Sequence, residues 1–224
     1  MSTYVASKAS TRPRARKKSE STPYHHGALH ATLLAAAQDI LESQGLAALT
    51  LRAAARAAGV SHAAPKNHFG DLTGLLSDLA AVGFREFTEA LRVAGEGAGS
   101  PEERFDAIGE AYVHFARERT AMFLLMFRSE RLDMQRPQLR EAVEASRAML
   151  GGATARRMGR DPAQPPNSAQ LGRMVAAWSL VHGFAMLLID GRLEKVLSQH
   201  EGGPDWQPLL HDVLRPPGRV SPGS

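Results

Sequence analysis

The chain has 224 residues and no cysteine. The length holds one large or two small domains with a buried core, and the missing cysteines exclude disulfides and cysteine–zinc sites. Its net charge of +4 is uneven: residues 1–23 carry +5, from six basic side chains against Glu20, and the other 201 residues sum to −1, which excludes a non-specific DNA-packaging protein with basic residues spread over its body.

Residues 1–22 are dominated by Ser, Thr, Pro and charge, the composition of a disordered arm. Such a basic arm reads either as a contact to DNA phosphates or the minor groove, or as a solubilising leader. Its start, MSTYVASKAS, has no apolar core of a secretory signal. Leu29, Leu33, Leu34, Ala37, Ile40 and Leu41 follow at helical spacing up to Gly45.

Residues 46–69, LAALTLRAAARAAGVSHAAPKNHF, predict two short helices around a turn at residues 58–60. Thr50 caps the first, whose alanines admit a closely packed neighbour. Gly59 reaches positive φ at no steric cost, Val60 supplies an apolar plug, and Ser61 is an N-cap for the second. That is a helix-turn-helix, whose second helix enters the DNA major groove; the plain alternative is an alanine-rich helical hairpin. Over residues 61–67 the polar groups are His62, Lys66 and Asn67. Asn pairs with adenine, Lys donates to guanine or phosphate, and Ala63 or Ala64 suits a thymine methyl. Thr50 sets a helix amino end toward phosphate, Arg52 adds a charge, and His25, His26 and His68 are candidates to approach the backbone, although His68 beside Phe69 reads more readily as structural. Phe69 is expected to be buried against the helix over 29–44. Pro65 removes one amide from the first turn, where amides lack partners anyway.

A fourth helix is predicted from residue 71 or 73 to about 94, ending in the glycine-rich residues 95–99. Ser100-Pro101-Glu102-Glu103 reads as the next start, and Phe105, Ile108, Tyr112 and Phe115 form its apolar stripe. Thr120 is expected to cap a segment through Phe127. Pro137 opens a helix carrying Leu139, Val143, Met149 and Leu150, and residues 159–167 are a turn-rich linker. Ser168 starts a long apolar helix to about Ile189; residues 191–203 have no readable conformation, and 204–214 form a short last helix. The apolar run 174–189 is interrupted by Ser179 and His182 and falls short of a membrane span. No strand pattern or repeat occurs, so the fold class is all-α.

Both faces of the 174–189 helix are apolar, so both need cover. Val175, Trp178, His182, Ala185 and Ile189 make one; Met174, Ala177, Val181, Phe184 and Leu188 make the other. A two-fold dimer supplies the second cover, with Met174, Val181, Phe184 and Leu188 expected at the interface. His182 reads as a ligand hydrogen-bonding group or as a core histidine satisfied by a neighbour. It has no second His, Asp or Glu at i±3 or i±4, so no metal site is expected. No phosphate loop, nucleophile elbow or His-Glu-x-x-His run occurs, so neither catalysis nor a cofactor is expected.

The segments YHHGALHATLL, LTLRAAARAAGVS and the HF-x-D-x-x-x-LL junction together resemble the N-terminal domain of the tetracycline-repressor (TetR) family over residues 23–84. Trp178, His182 and Gly183 resemble the tryptophan-histidine-glycine signature of one TetR subfamily's C-terminal domain, and residues 112–127 are similar to its central helices. The resemblance implies a three-helix DNA-binding domain over 23–84 behind an arm at 1–22, then a ligand-binding and dimerisation domain over 85–215. It implies a cytoplasmic homodimer bound to double-stranded operator DNA, a repressor released by a small hydrophobic effector, with no membrane association. Phe105, Tyr112, Phe115, Met122, Phe123, Met126, Phe127, Trp178 and His182 would line the effector cavity, though the same residues serve equally as plain core. Leu210 and Val213 of the last helix would complete a four-helix interface. The chain departs from the family at Lys66, where a Tyr is usual, and at Leu72, where a Lys is usual. The alternative is a helical small-molecule-binding protein or enzyme that has lost DNA binding.

Overall fold

The computed structural model describes residues 23–199 and 205–215. The basic arm therefore lies outside the described residues, as do the side chains of His25 and His26. Helices α1 (Pro23–Gln44), α2 (Leu51–Ala57) and α3 (Ala64–Phe69) form the first module, and α4 (Leu72–Glu96) runs out of it. Beyond lie α5 (Pro101–Glu118), α6 (Thr120–Met126), α7 (Pro137–Arg157), α8 (Ser168–Ile189), α9 (Glu194–Ser198) and α10 (Gln207–Leu214). Among the described residues there is no strand.

Local signals set most helix ends. Thr50 is extended, and its Oγ1 accepts from the Ala53 amide at 3.1 Å. At the other end of α2, Gly59 (φ +66°) lets the Val60 amide reach the Ala55 carbonyl at 3.0 Å while its own amide bonds Arg56 at 3.2 Å. This paired closure is the Schellman motif. Ser100 and Glu103 exchange the two hydrogen bonds of a capping box ahead of α5, and Asn167 and Gln170 do the same ahead of α8.

Two cap expectations are corrected. The second helix of the helix-turn-helix does not begin at Ser61: residues 61–63 form a turn in which the Ser61 carbonyl accepts from the Ala64 amide at 3.0 Å, and the N-cap is Ala63. Proline explains the shift. A helix starting at Ser61 would set Pro65 past the first turn; starting at Ala64, it sits where its missing amide has no partner to lose. Thr120 does not cap α6 either. Its hydroxyl donates back to the carbonyls of Ala116 and Arg117, and Arg119 is the N-cap.

Helix α4 ties the two parts together and continues unbroken past residue 84. It packs on α3 and α1 at one end and on α5, α6 and α7 along the rest. Its closest approaches occur at glycines. A Cβ on Gly74 would lie 2.0 Å from the Phe69 carbonyl oxygen, and one on Gly83 would lie 2.7 Å from Met122 Sδ. The core runs continuously from Leu33, Leu41 and Phe69 through Leu79 and Phe87 to Tyr112, Phe123 and Leu210.

Helix α8 docks on α5 and α7, and α10 covers α5 and α8. Here the expected orientation is corrected. Val181 and Phe184 are 5% exposed and Leu210 is fully buried within the single chain, while Met174, Leu188 and Val213 are half-buried. Beside this docked stripe, Leu171, Val175 and Trp178 lie on one outward flank and Leu180 and Leu187 on the other, exposed by 41–51%. Periodicity could not choose between two apolar faces; the docking on α5 does.

Candidate nucleic-acid interface and effector region

The Schellman turn after α2 and the Gly70 turn after α3 (φ +84°) hold the short α3 between two fixed corners. Asp71 then caps α4, accepting from the Gly74 amide at 2.8 Å, so no loop separates α3 from α4. Ala64, Pro65 and Phe69 are buried beneath α3. Ser61, His62, Ala63, Lys66 and Asn67 are exposed, and Ala63, Lys66 and Asn67 share one helical face by their i, i+3, i+4 spacing. Thr50 and Arg52 are exposed on the neighbouring α2, and His68 is half-buried. The eight DNA-contacting candidates thus fall within residues 50–68, all exposed except the half-buried His68. The exposed Arg56, in the last turn of α2, adds a cation that sequence reading did not single out. Leu72 packs, half-buried, against the core, which suits its apolar side chain in place of a lysine.

What holds α3 from behind is less legible in the sequence. The His30 ring of α1 lies 4.8 Å from Phe69 and 6.1 Å from His68. His30 Nε2 is 3.0 Å from Asp78 Oδ2 of α4. Arg136, the N-cap residue of α7, grips the same carboxylate with two hydrogen bonds, from Nε at 2.7 Å and from Nη2 at 3.1 Å. Asp78 is buried, and its hydrogen bonds raise the Arg136 pKa above the ordinary guanidinium value. Partners 48 and 58 residues apart in sequence leave no local pattern, so this hub could not be read from periodicity.

In the second part, the expected effector residues divide into groups. Tyr112, Phe123, Phe127 and His182 form one aromatic cluster, with ring centroids 4.6–6.3 Å apart. The Tyr112 hydroxyl and His182 Nδ1 are hydrogen-bonded at 2.8 Å. Burial raises the phenol's pKa and lowers the imidazole's, so both are neutral at pH 7 and His182 has a protein partner. Trp178 stands at the outer rim, 42% exposed and 6.2 Å from His182. Phe115 packs on Phe87 at 5.2 Å, while Met122 and Met126 press on Gly83. Phe105 is elsewhere, beneath the Arg157 guanidinium at 4.2 Å. Among the described residues no group of three His, Asp or Glu side chains is arranged to hold a metal ion.

Comparison with known proteins bears on both parts. Residues 105–204 match the family model described as "Tetracyclin repressor-like, C-terminal domain". A solved protein of unknown function from Rhodococcus sp. RHA1 is 35% identical, aligns over 86% of this chain and 93% of its own, and superposes with a TM-score of 0.63. A TetR transcriptional regulator from the same organism is 18% identical over 88% of this chain and 100% of its own, with a TM-score of 0.60. PfmR, a TetR family regulator from Thermus thermophilus, is 19% identical over 82% of this chain and 97% of its own, with a TM-score of 0.53. No curated protein matches.

Proposed function

This chain belongs to the tetracycline-repressor family of transcriptional regulators, and we propose that it works as a homodimeric repressor that binds a specific operator and is released from it by a small ligand. The observation that carries the DNA reading is the α3 face. A short helix locked at both ends by glycine turns puts Ala63, Lys66 and Asn67 outward, side by side. The three supply a methyl contact, a cation and a bidentate amide, the groups that read base edges in a major groove. Nothing in this reading requires catalysis.

The outward face of α8 supports the dimer. Leu171, Val175, Trp178, Leu180 and Leu187 lie on one 22-residue helix whose opposite side is already docked. By length and composition α8 could also cross a membrane. We assign its apolar face to a second copy, because its other face packs on α5 and α7 within a cytoplasmic family of DNA-binding proteins. Two α3 helices then read half-sites about 34–36 Å apart. A gel shift with DNA upstream of the protein's own gene, against excess random DNA, tests the proposal. A complex that survives the competitor is expected; one removed equally by random DNA would refute it.

A further inference from the structure

A groove of about 580 Å³ separates the end of the reading module from α6. One wall is the turn at Gly45, Leu46 and Ala47, three residues before the α2 cap; the other is Ala121, Leu124 and Leu125 of α6. Its size is that of a small-molecule site. The charges around it are unequal in commitment. Arg119 is already engaged, donating to Glu42 at 2.7 Å and to Glu86 at 3.1 Å. Arg128 and Arg131, exposed on the turn that follows α6, line the same groove and form no ion pair among the described residues. Glu130, between them in sequence, does not line it, and Glu42, which does, is held by Arg119.

We propose that this groove binds an organic anion with an apolar body, its head on Arg128 and Arg131 and its body between Leu46 and Leu124. A neutral apolar molecule would cover the two guanidinium groups without replacing their water, which is unfavourable. A bare inorganic anion would leave the apolar walls wet. Only a ligand with both parts satisfies both surfaces. The inference rests on the regulator reading for its consequence: α6 is the helix of the second part that packs on α1. A molecule between α6 and the 45–47 turn therefore favours one spacing of the two parts, in proportion to its differential affinity.

The test uses the full chain with decanoate as probe, decanol as its neutral match and acetate as its headgroup alone, each displacing the fluorescent anion anilinonaphthalene sulfonate. Decanoate is expected to compete, and decanol and acetate to fail. Arg128→Glu with Arg131→Glu should weaken decanoate about tenfold or more, as loss of charge-assisted hydrogen bonds implies. Ala121→Trp, which fills the groove, should abolish decanoate binding without touching a charge. No decanoate binding, decanol competing equally, or wild-type affinity in both variants would overturn the site. In gel shifts, decanoate should weaken the DNA complex of the wild type and spare that of the double variant; an unchanged wild-type complex would overturn the regulatory role. A chain that never binds DNA would refute the regulator reading, while the decanoate titration still decides the site.

Discussion

The helix-turn-helix module and the C-terminal part are both helical, yet they are specified by different physics. In the first, ends are fixed by contacts only a few residues apart: Thr50 to Ala53, Val60 to Ala55, Asp71 to Gly74. In the second, α5 and α8 are also capped locally, but the packing is set at long range: Tyr112 meets His182 across 70 residues, and Arg157 reaches the Leu214 carbonyl across 57. Short-range closure makes a small rigid unit whose outer face is free to vary. Long-range packing makes a domain whose helix faces are decided only when the partners arrive. The Asp78 hub joins the two, since His30, Asp78 and Arg136 belong to α1, α4 and the start of α7.

Breaking the hub should have the largest effect. Asp78→Ala removes the buried carboxylate that holds Arg136 and His30, and is expected to cost about 2–3 kcal/mol, read as a shift in the denaturant midpoint. A loss below about 1 kcal/mol would mean that the two parts are held otherwise. Next in size is the outward face of α8. Val175→Glu with Trp178→Glu should convert the proposed dimer to a monomer in sedimentation while leaving helix content unchanged, because both residues are exposed in the single chain. A dimer that persists would place the interface elsewhere.

The pH response sharpens the contrast between neutral and charged interiors. Burial lowers the His182 pKa from its ordinary 6.5, so the unfolded chain binds the proton more readily. The stability tied to this group is fully present above that value and is lost as pH falls toward the folded-state pKa. His182→Phe should flatten the stability curve in that window; an unchanged slope would assign it to other groups. The smallest effect belongs to the local end of the comparison. Thr50→Ala removes one capping bond and is expected to cost about 1 kcal/mol in thermal or denaturant unfolding.

The same contrast explains what the sequence made legible. The Ser100 capping box, the Gly59 turn, the Thr50 cap and the Phe69 burial were readable because each is local or driven by a single strongly apolar side chain. The N-cap of α3 lies two residues beyond the expected Ser61, because Ser61 is a good cap in isolation and Pro65 overrules it. The facing of α8 was missed because Ala, Val, Leu and Trp occupy both sides, leaving no polar stripe to mark solvent. The α9 helix and the free arginines of the α6 groove had no periodic signature at all. The arginines stand out only beside Arg119, which Glu42 and Glu86 already hold.

At the centre of the proposed function, α3 reads DNA bases through Lys66 and Asn67. Its most direct test compares the affinities of the wild type and of Lys66→Ala with Asn67→Ala for upstream DNA and for random DNA. The expected result is a loss of about 1–3 kcal/mol per base-reading residue on the specific site, with random DNA far less affected. Equal affinity of the two proteins for the upstream site, in a variant that folds normally, would contradict it.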